Sequence, residues 1–209
     1  MTLANKVTSI RLILAPIFFA VYFLPHLFDS SGISIADSAR NLLYLMYIVV
    51  LWSLFIASEI TDLIDGNIAR SRNEVSEFGK LFDPFADTLV RITYFLCFTL
   101  DGVLPTVLFL VTLYRELSIL FLRNLMIRKG LVQGARKGGK IKAFAYMLTG
   151  VAALLAVSVR KLNLDASLFS ILHIIAVILF FVSVVIAVVS FLDYLSVYKK
   201  QNPSGDYNA

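Results

Sequence analysis

The 209-residue sequence is 59% apolar and 16% charged, with a formal net charge of +5. Soluble domains are about half apolar and about a quarter charged, so this composition excludes an ordinary soluble domain and points to a chain that crosses a bilayer several times. The one cysteine, Cys97, lies in an apolar run, which excludes intrachain disulfides and cysteine-rich metal sites.

Lys6 and Arg11 precede an apolar run from Leu12 to Phe28. That run is long enough to span a bilayer and lacks a small-residue cleavage pattern, so it reads as a first span rather than a secretory leader. A second span is expected from Leu42 to about Ile60, running on as helix into a charged stretch. The third covers Pro84 to Leu100, the fourth Leu104 to Ile127 and the fifth Ile141 to Val159. The sixth, Leu168 to Val197, is long enough to tilt or protrude. The expected fold is thus all-α: an integral membrane protein of six transmembrane helices, one domain over residues 1–200, with a polar disordered tail at 201–209.

An even number of spans brings both termini to one side. That side then holds thirteen basic residues, among them Lys6, Arg11, Arg70, Arg128, Lys140, Lys142 and Lys199, against Arg40, Arg160 and Lys161 on the other. The basic side reads as cytoplasmic, which places the chain in the cytoplasmic membrane with both termini inside. Topology and attraction to anionic membrane lipids explain the positive charge, so no nucleic-acid partner is expected. Arg91, Arg115 and Arg123 fall within or at the edges of spans, where a charge needs a partner or a wet cavity.

The informative stretch is Asp62-Leu63-Ile64-Asp65-Gly66-Asn67-Ile68-Ala69-Arg70, followed by Gly79, Asp83 and Asp87. As helix, Asp62, Asp65, Gly66 and Ala69 recur at spacings of three and four and share a face, and so do Asp83 and Asp87 on the next helix. A short connection makes these helices antiparallel neighbours, so four carboxylates are expected to converge at the cytoplasmic boundary. Crowded carboxylates need a counter-charge, and oxygen donors at this density suit Mg²⁺ or Mn²⁺, one ion or two, better than zinc. Gly66, Ala69 and Gly79 leave room for a group to approach the backbone, and Arg70 offers a donor fork that fits a phosphate. Singly, Asp65-Gly66 is an ordinary turn signal and Asp83-Pro84 an ordinary helix start. The whole pattern fixes eight identities, and a chance match at a given start is on the order of one in a billion.

This pattern of Asp62, Asp65, Gly66, Ala69, Arg70, Gly79, Asp83 and Asp87 resembles the signature of the CDP-alcohol phosphatidyltransferases. The resemblance implies an enzyme with six transmembrane helices, working as a homodimer. It implies that Asp62, Asp65 and Asp83 hold Mg²⁺ or Mn²⁺, as two ions, with help from Asp87, which is also the general base. It assigns Gly66, Ala69, Arg70 and Gly79 to the cytidine diphosphate part of the donor. The physical chemistry agrees: paired metals stabilise attacking and leaving oxygens, while a base takes the proton of the attacking hydroxyl.

Shorter motifs resemble the bacterial phosphatidylglycerophosphate synthases, whose donor is CDP-diacylglycerol and whose acceptor is glycerol 3-phosphate. They are the opening Asn5-Lys6-Val7-Thr8-Ser9-Ile10-Arg11, then Arg115-Glu116, then Gly139-Lys140-Ile141-Lys142. Asn5 and Thr8 are assigned with the donor, and Arg115, Lys140 and Lys142 with the acceptor phosphate, which needs cations. The plainer readings are topological anchoring for the lysines and a buried pair with Glu116 for Arg115. Two positions depart from the synthase pattern: Thr88 stands where a lysine is usual, and Ala143 where a threonine is. Arg91, one turn beyond Asp87, is expected to replace the lost cation.

Other acceptors (inositol phosphate, serine, choline), a CDP-alcohol donor with diacylglycerol as acceptor, and a small cation transporter are the competing readings. The transporter calls for mid-membrane acids in two repeated halves, and the sequence has one boundary cluster and no repeat. Glu59 reads as a paired boundary acid more simply than as a metal ligand, His26 and His173 as interfacial or packing residues, and residues 73–77 as a solvated loop.

Overall fold

A computed structural model describes the backbone of residues 3–30, 37–72, 77–129 and 137–201, and the side chains of 8–26, 39–61, 79, 81–129, 139 and 141–201. The helices are α1 (Leu3–Ser30), α2 (Asp37–Arg72), α3 (Glu77–Leu100), α4 (Thr106–Arg128), α5 (Lys137–Lys161) and α6 (Ala166–Gln201), with no strand among the described residues. Each expected span falls within one helix except at the start of the fourth, where Leu104 and Pro105 belong to the turn and α4 begins at Thr106. The tail expected at 201–209 lies outside the described residues beyond Gln201, as do residues 73–76 of the expected loop.

α3 begins earlier than an Asp83-Pro84 start implies. It opens at Glu77 and carries Pro84 inside, so the carbonyl of Lys80 loses its usual helical donor. The consequence is that Asp83 and Asp87 both stand within the helix, one turn apart.

The most extensive packing joins α5 to α6 and α1 to α3, while α3 also meets α4 and α5. α2 packs chiefly on α1 and α5 and reaches α3 through large side chains, the rings of Phe55 and Tyr94 lying 5.3 Å apart. The core is aromatic around α3: Phe95 packs on Tyr146 of α5 at 5.3 Å and on Phe180 of α6 at 5.0 Å. Such rings bury large apolar areas with defined geometry, which fixes helix rotation as well as contact.

α1, α2, α5 and α6 each contain a stretch long and apolar enough to cross a membrane, which makes this a multi-pass membrane protein. α3 and α4 fall short because of Asp83, Asp87 and Arg91 on the first and Arg115, Glu116 and Arg123 on the second. Of these, Arg91, Arg115 and Glu116 are buried among neighbouring helices. Intramembrane charges take that position when they face a bundle interior.

The α3–α4 and α5–α6 turns close one end of the bundle by the same device. Val103 N–H donates to Phe98 O and Gly102 N–H to Thr99 O, while Leu164 N–H donates to Val159 O and Asn163 N–H to Arg160 O. These are Schellman caps, with left-handed Gly102 (φ 72°) and Asn163 (φ 49°) at the position that requires that conformation. Asp165 then caps α6 by accepting from Ser167 N–H at 2.8 Å.

α5 meets α2 at Gly150, where a Cβ would lie 2.7 Å from Cε2 of Phe55. Phe55 is held between Trp52 and Tyr94 and has little room to yield. Gly150→Leu is expected to destabilise the fold by about 1–3 kcal/mol net of the gain in helix propensity. A lower thermal midpoint in detergent checks this, and an unchanged midpoint refutes the close α2–α5 contact.

Candidate active site

The end of the bundle opposite those caps gathers the amino-terminal parts of α1, α3 and α5 with the carboxy-terminal parts of α2, α4 and α6. Asp83 and Asp87 lie there on α3, 49% and 29% exposed, so that water and ligands reach both. Each has an arginine. Arg11 of α1, 1% exposed, donates through Nη2 to Oδ1 of Asp83, and Thr8 is buried one turn before it. Arg91 donates through Nε to Oδ1 of Asp87 at 2.7 Å and through Nη1 to the carbonyl of Ala143 on α5 at 3.2 Å.

A second group adjoins the first. Glu116 of α4 accepts from Lys142 Nζ at 3.0 and 3.1 Å, from Arg115 Nη1 at 2.8 Å and from Tyr146 Oη at 3.2 Å. Arg115 Nε donates to the carbonyl of Ala187 on α6 at 2.9 Å. The Tyr146 ring joins the two groups, with the Arg91 guanidinium 5.9 Å and the Lys142 ammonium 5.2 Å from its centroid. Glu59 of α2 accepts from Tyr94 Oη at 2.9 Å.

The structure therefore brings Thr8, Arg11, Asp83, Asp87, Arg91, Arg115 and Lys142 to one end of the bundle, with Arg115 held behind the others. The side chains of Asn5, Asp62, Asp65, Ala69, Arg70 and Lys140 lie outside the described residues, and so does the setting of Gly66. The α2 backbone runs as helix through them to Arg72, which keeps positions 62, 65, 66 and 69 on one side of that helix. Gly79 sits one turn before Asp83, half-buried.

Among the described residues no three acidic, histidine or cysteine side chains form a metal-binding group. The described half of the expected donor set still fits a hard cation. Asp83 and Asp87 present only carboxylate oxygens, are open to solvent and lie at helical-turn spacing. Their arginine partners hold the carboxylates in place and balance their charge.

Tyr94 and Tyr146 are site residues that the sequence reading missed. Their signal is spacing: Asp83, Asp87, Arg91 and Tyr94 follow one face of α3, and Tyr146 lies one turn beyond Lys142. His26 and His173 stand away from this end, His26 exposed beside Phe23 and His173 stacked on Phe169 at 5.7 Å.

Arg11→Ala removes the partner of Asp83 and a fully buried guanidinium at once. It is expected to reduce kcat/KM at least tenfold, equivalent to about 1.4 kcal/mol of transition-state stabilisation. Initial rates with every substrate varied check this, and wild-type rates would place Arg11 outside the site.

Residues 1–189 match the family described as CDP-alcohol phosphatidyltransferase. A protein of Treponema pallidum named CDP-diacylglycerol–glycerol-3-phosphate 3-phosphatidyltransferase is 36% identical over 95% of this chain and 89% of its own length. A Bacillus subtilis protein of the same name is 33% identical over 73% of this chain and 76% of its own. A Mycobacterium tuberculosis protein named probable phosphatidylglycerophosphate synthase is 30% identical over 93% and 80% respectively.

Proposed function

Because the chain belongs to the CDP-alcohol phosphatidyltransferase family, we propose that it transfers a phosphatidyl group from CDP-diacylglycerol to glycerol 3-phosphate, releasing CMP. The observation that carries the acceptor is the row of cations beside the α3 carboxylates: Arg91 on Asp87, and Lys142 facing the same Tyr146 ring. A phosphorylated acceptor supplies the negative charge that such a row binds, whereas choline or serine brings a positive group toward it. The relatives named for this reaction support the same acceptor.

Asp87 stands in the position of the general base. Arg91 occupies Oδ1, so Oδ2 receives the proton of the acceptor hydroxyl as that oxygen attacks the phosphorus distal to cytidine. Arg70, Gly66, Ala69 and Gly79 hold the cytidine diphosphate portion, with Asn5 and Thr8 at its edge. Asp62, Asp65, Asp83 and Asp87 hold the divalent metal on which the family in general depends, Mg²⁺ or Mn²⁺, as two ions. When bound, the metal neutralises the charge developing on the phosphate oxygens. Arg91, Lys142 and Lys140 orient the acceptor through its phosphate, with Arg115 behind them. A small apolar crevice lined by Leu14, Phe18, Leu54, Phe55, Val90 and Tyr94 lies deeper between α1, α2 and α3.

The departures from the synthase pattern meet in one contact. Arg91 bridges Asp87, the residue before Thr88, and the carbonyl of Ala143. This supports Arg91 as the replacement cation for the one absent at Thr88. Six spans, both termini and the site on the cytoplasmic face of the cytoplasmic membrane, and a homodimer complete the proposal; the basic-residue asymmetry supports the orientation.

Purified protein given CDP-diacylglycerol and Mg²⁺ or Mn²⁺ is expected to release CMP with glycerol 3-phosphate and not with inositol phosphate, serine or choline. Release with another alcohol instead refutes the acceptor. Asp87→Asn is expected to lower kcat by a factor of a thousand or more while retaining donor binding, and Arg70→Ala to raise the donor KM about tenfold. Full turnover in Asp87→Asn rules out its role as base.

A further inference from the structure

We propose that Glu116 is a positioning residue: it fixes the Lys142 ammonium where the acceptor's phosphate is bound. The inference rests on the reading of glycerol 3-phosphate as acceptor and assigns a task to a carboxylate that the transfer chemistry does not use.

Glu116 is 3% exposed on α4, in surroundings where an ionised carboxylate persists only if paired. It is paired beyond need. Two cations and a phenol converge on it, three of the donors on Oε1, and a single negative charge faces the positive charges of Arg115 and Lys142. Among the described contacts, one Glu116 carboxylate thus gathers two cations, and Lys142 shares the Tyr146 ring with the Arg91 that binds Asp87.

The two cations are not equivalent. Arg115 is locked behind the group, its Nη1 on Glu116 and its Nε on the Ala187 carbonyl. Lys142 is at the front, its side chain 12% exposed and its ammonium directed over the Tyr146 ring that Arg91 also faces. An ammonium has three donors, and the two oxygens of Glu116 take two, which leaves one for a phosphate oxygen. A lysine head on a four-carbon stem is otherwise free to change rotamer. Glu116 removes that freedom before the acceptor arrives, so the acceptor does not bear the cost of ordering the side chain.

A simple counter-ion gives the opposite sign. If Glu116 only neutralised the cations, removing its charge would strengthen their attraction for phosphate and lower the acceptor KM. A positioning residue makes the acceptor KM rise.

The test is steady-state kinetics of Glu116→Gln and Tyr146→Phe in detergent, with glycerol 3-phosphate and CDP-diacylglycerol varied separately and inorganic phosphate as competitor. Glu116→Gln is expected to raise the glycerol 3-phosphate KM and the phosphate inhibition constant at least tenfold, with the donor KM within about twofold of wild type and kcat falling far less than kcat/KM. Tyr146→Phe removes one donor from Glu116, keeps every charge, and is expected to raise the same two constants about two- to threefold. It carries the test if Glu116→Gln does not fold. An unchanged or lowered acceptor KM, or a loss confined to thermal stability, overturns the positioning role alone. Wild-type enzyme that uses another alcohol and not glycerol 3-phosphate overturns the acceptor reading together with this one.

Discussion

A charge carried into a helical bundle within a bilayer needs a partner there, and the arrangement of α3 and α4 follows from that requirement. Arg91, Arg115 and Glu116 are buried, and each is joined to an opposite charge and to a neighbouring helix. Removing one partner of such a buried pair leaves an uncompensated charge, at a cost of about 3–5 kcal/mol. The pairs therefore help to set the relative rotation of α3, α4, α5 and α6 at the site end. The same charged residues that leave α3 and α4 without a charge-poor span also form the candidate site.

The two ends of the bundle solve different problems. At the capped end, Asp101 accepts from Tyr22 at 2.9 Å and from Arg160, which also donates to the Asp101 carbonyl at 3.0 Å. Tyr47 reaches the Tyr22 carbonyl at 3.0 Å. An aspartate with a tyrosine, an arginine and a histidine 3.9 Å from Oδ1 looks like a second site, but Oδ2 takes both Tyr22 and Arg160 and ties the α3–α4 turn to α1 and α5. At the other end Asp83 and Asp87 remain open beside their arginines. Side-chain contacts of Asp101 close one end, while the carboxylates of Asp83 and Asp87 stay accessible at the other.

Much of this was legible in the sequence because the informative residues lie on helices, where spacing reports a shared face. Asp83, Asp87 and Arg91 recur every four residues, and the structure keeps them on one side of α3. The helix number and the approximate limits followed from apolar runs in the same way. Spacing does not report which helix a face meets. That Arg11 of the first span reaches Asp83, 72 positions away, or that Glu116 gathers Lys142 and Tyr146 from α5, depends on packing angles set by the bulk of residues such as Phe95, Tyr146 and Phe180. Tyr94 was overlooked for a related reason: a tyrosine in an apolar run reads as core, and it is core, except for the hydroxyl that meets Glu59.

The two departures from the synthase pattern show how one task can move along a helix. A lysine directly after Asp87 would project about 100° away from it around the helix, while a residue four positions on returns to the same face. Arg91 occupies that position, and its planar fork reaches both Asp87 and the backbone of Ala143, which a lysine's point charge could not bridge with comparable geometry. Thr88 is buried, and at position 143 it is the backbone carbonyl that accepts from Arg91. A positive charge is thereby placed directly on Asp87 from one turn further along α3. The Arg91 guanidinium and the Lys142 ammonium lie 5.9 and 5.2 Å from the Tyr146 ring centroid, so that one ring gathers the cations that a phosphate-bearing acceptor would meet.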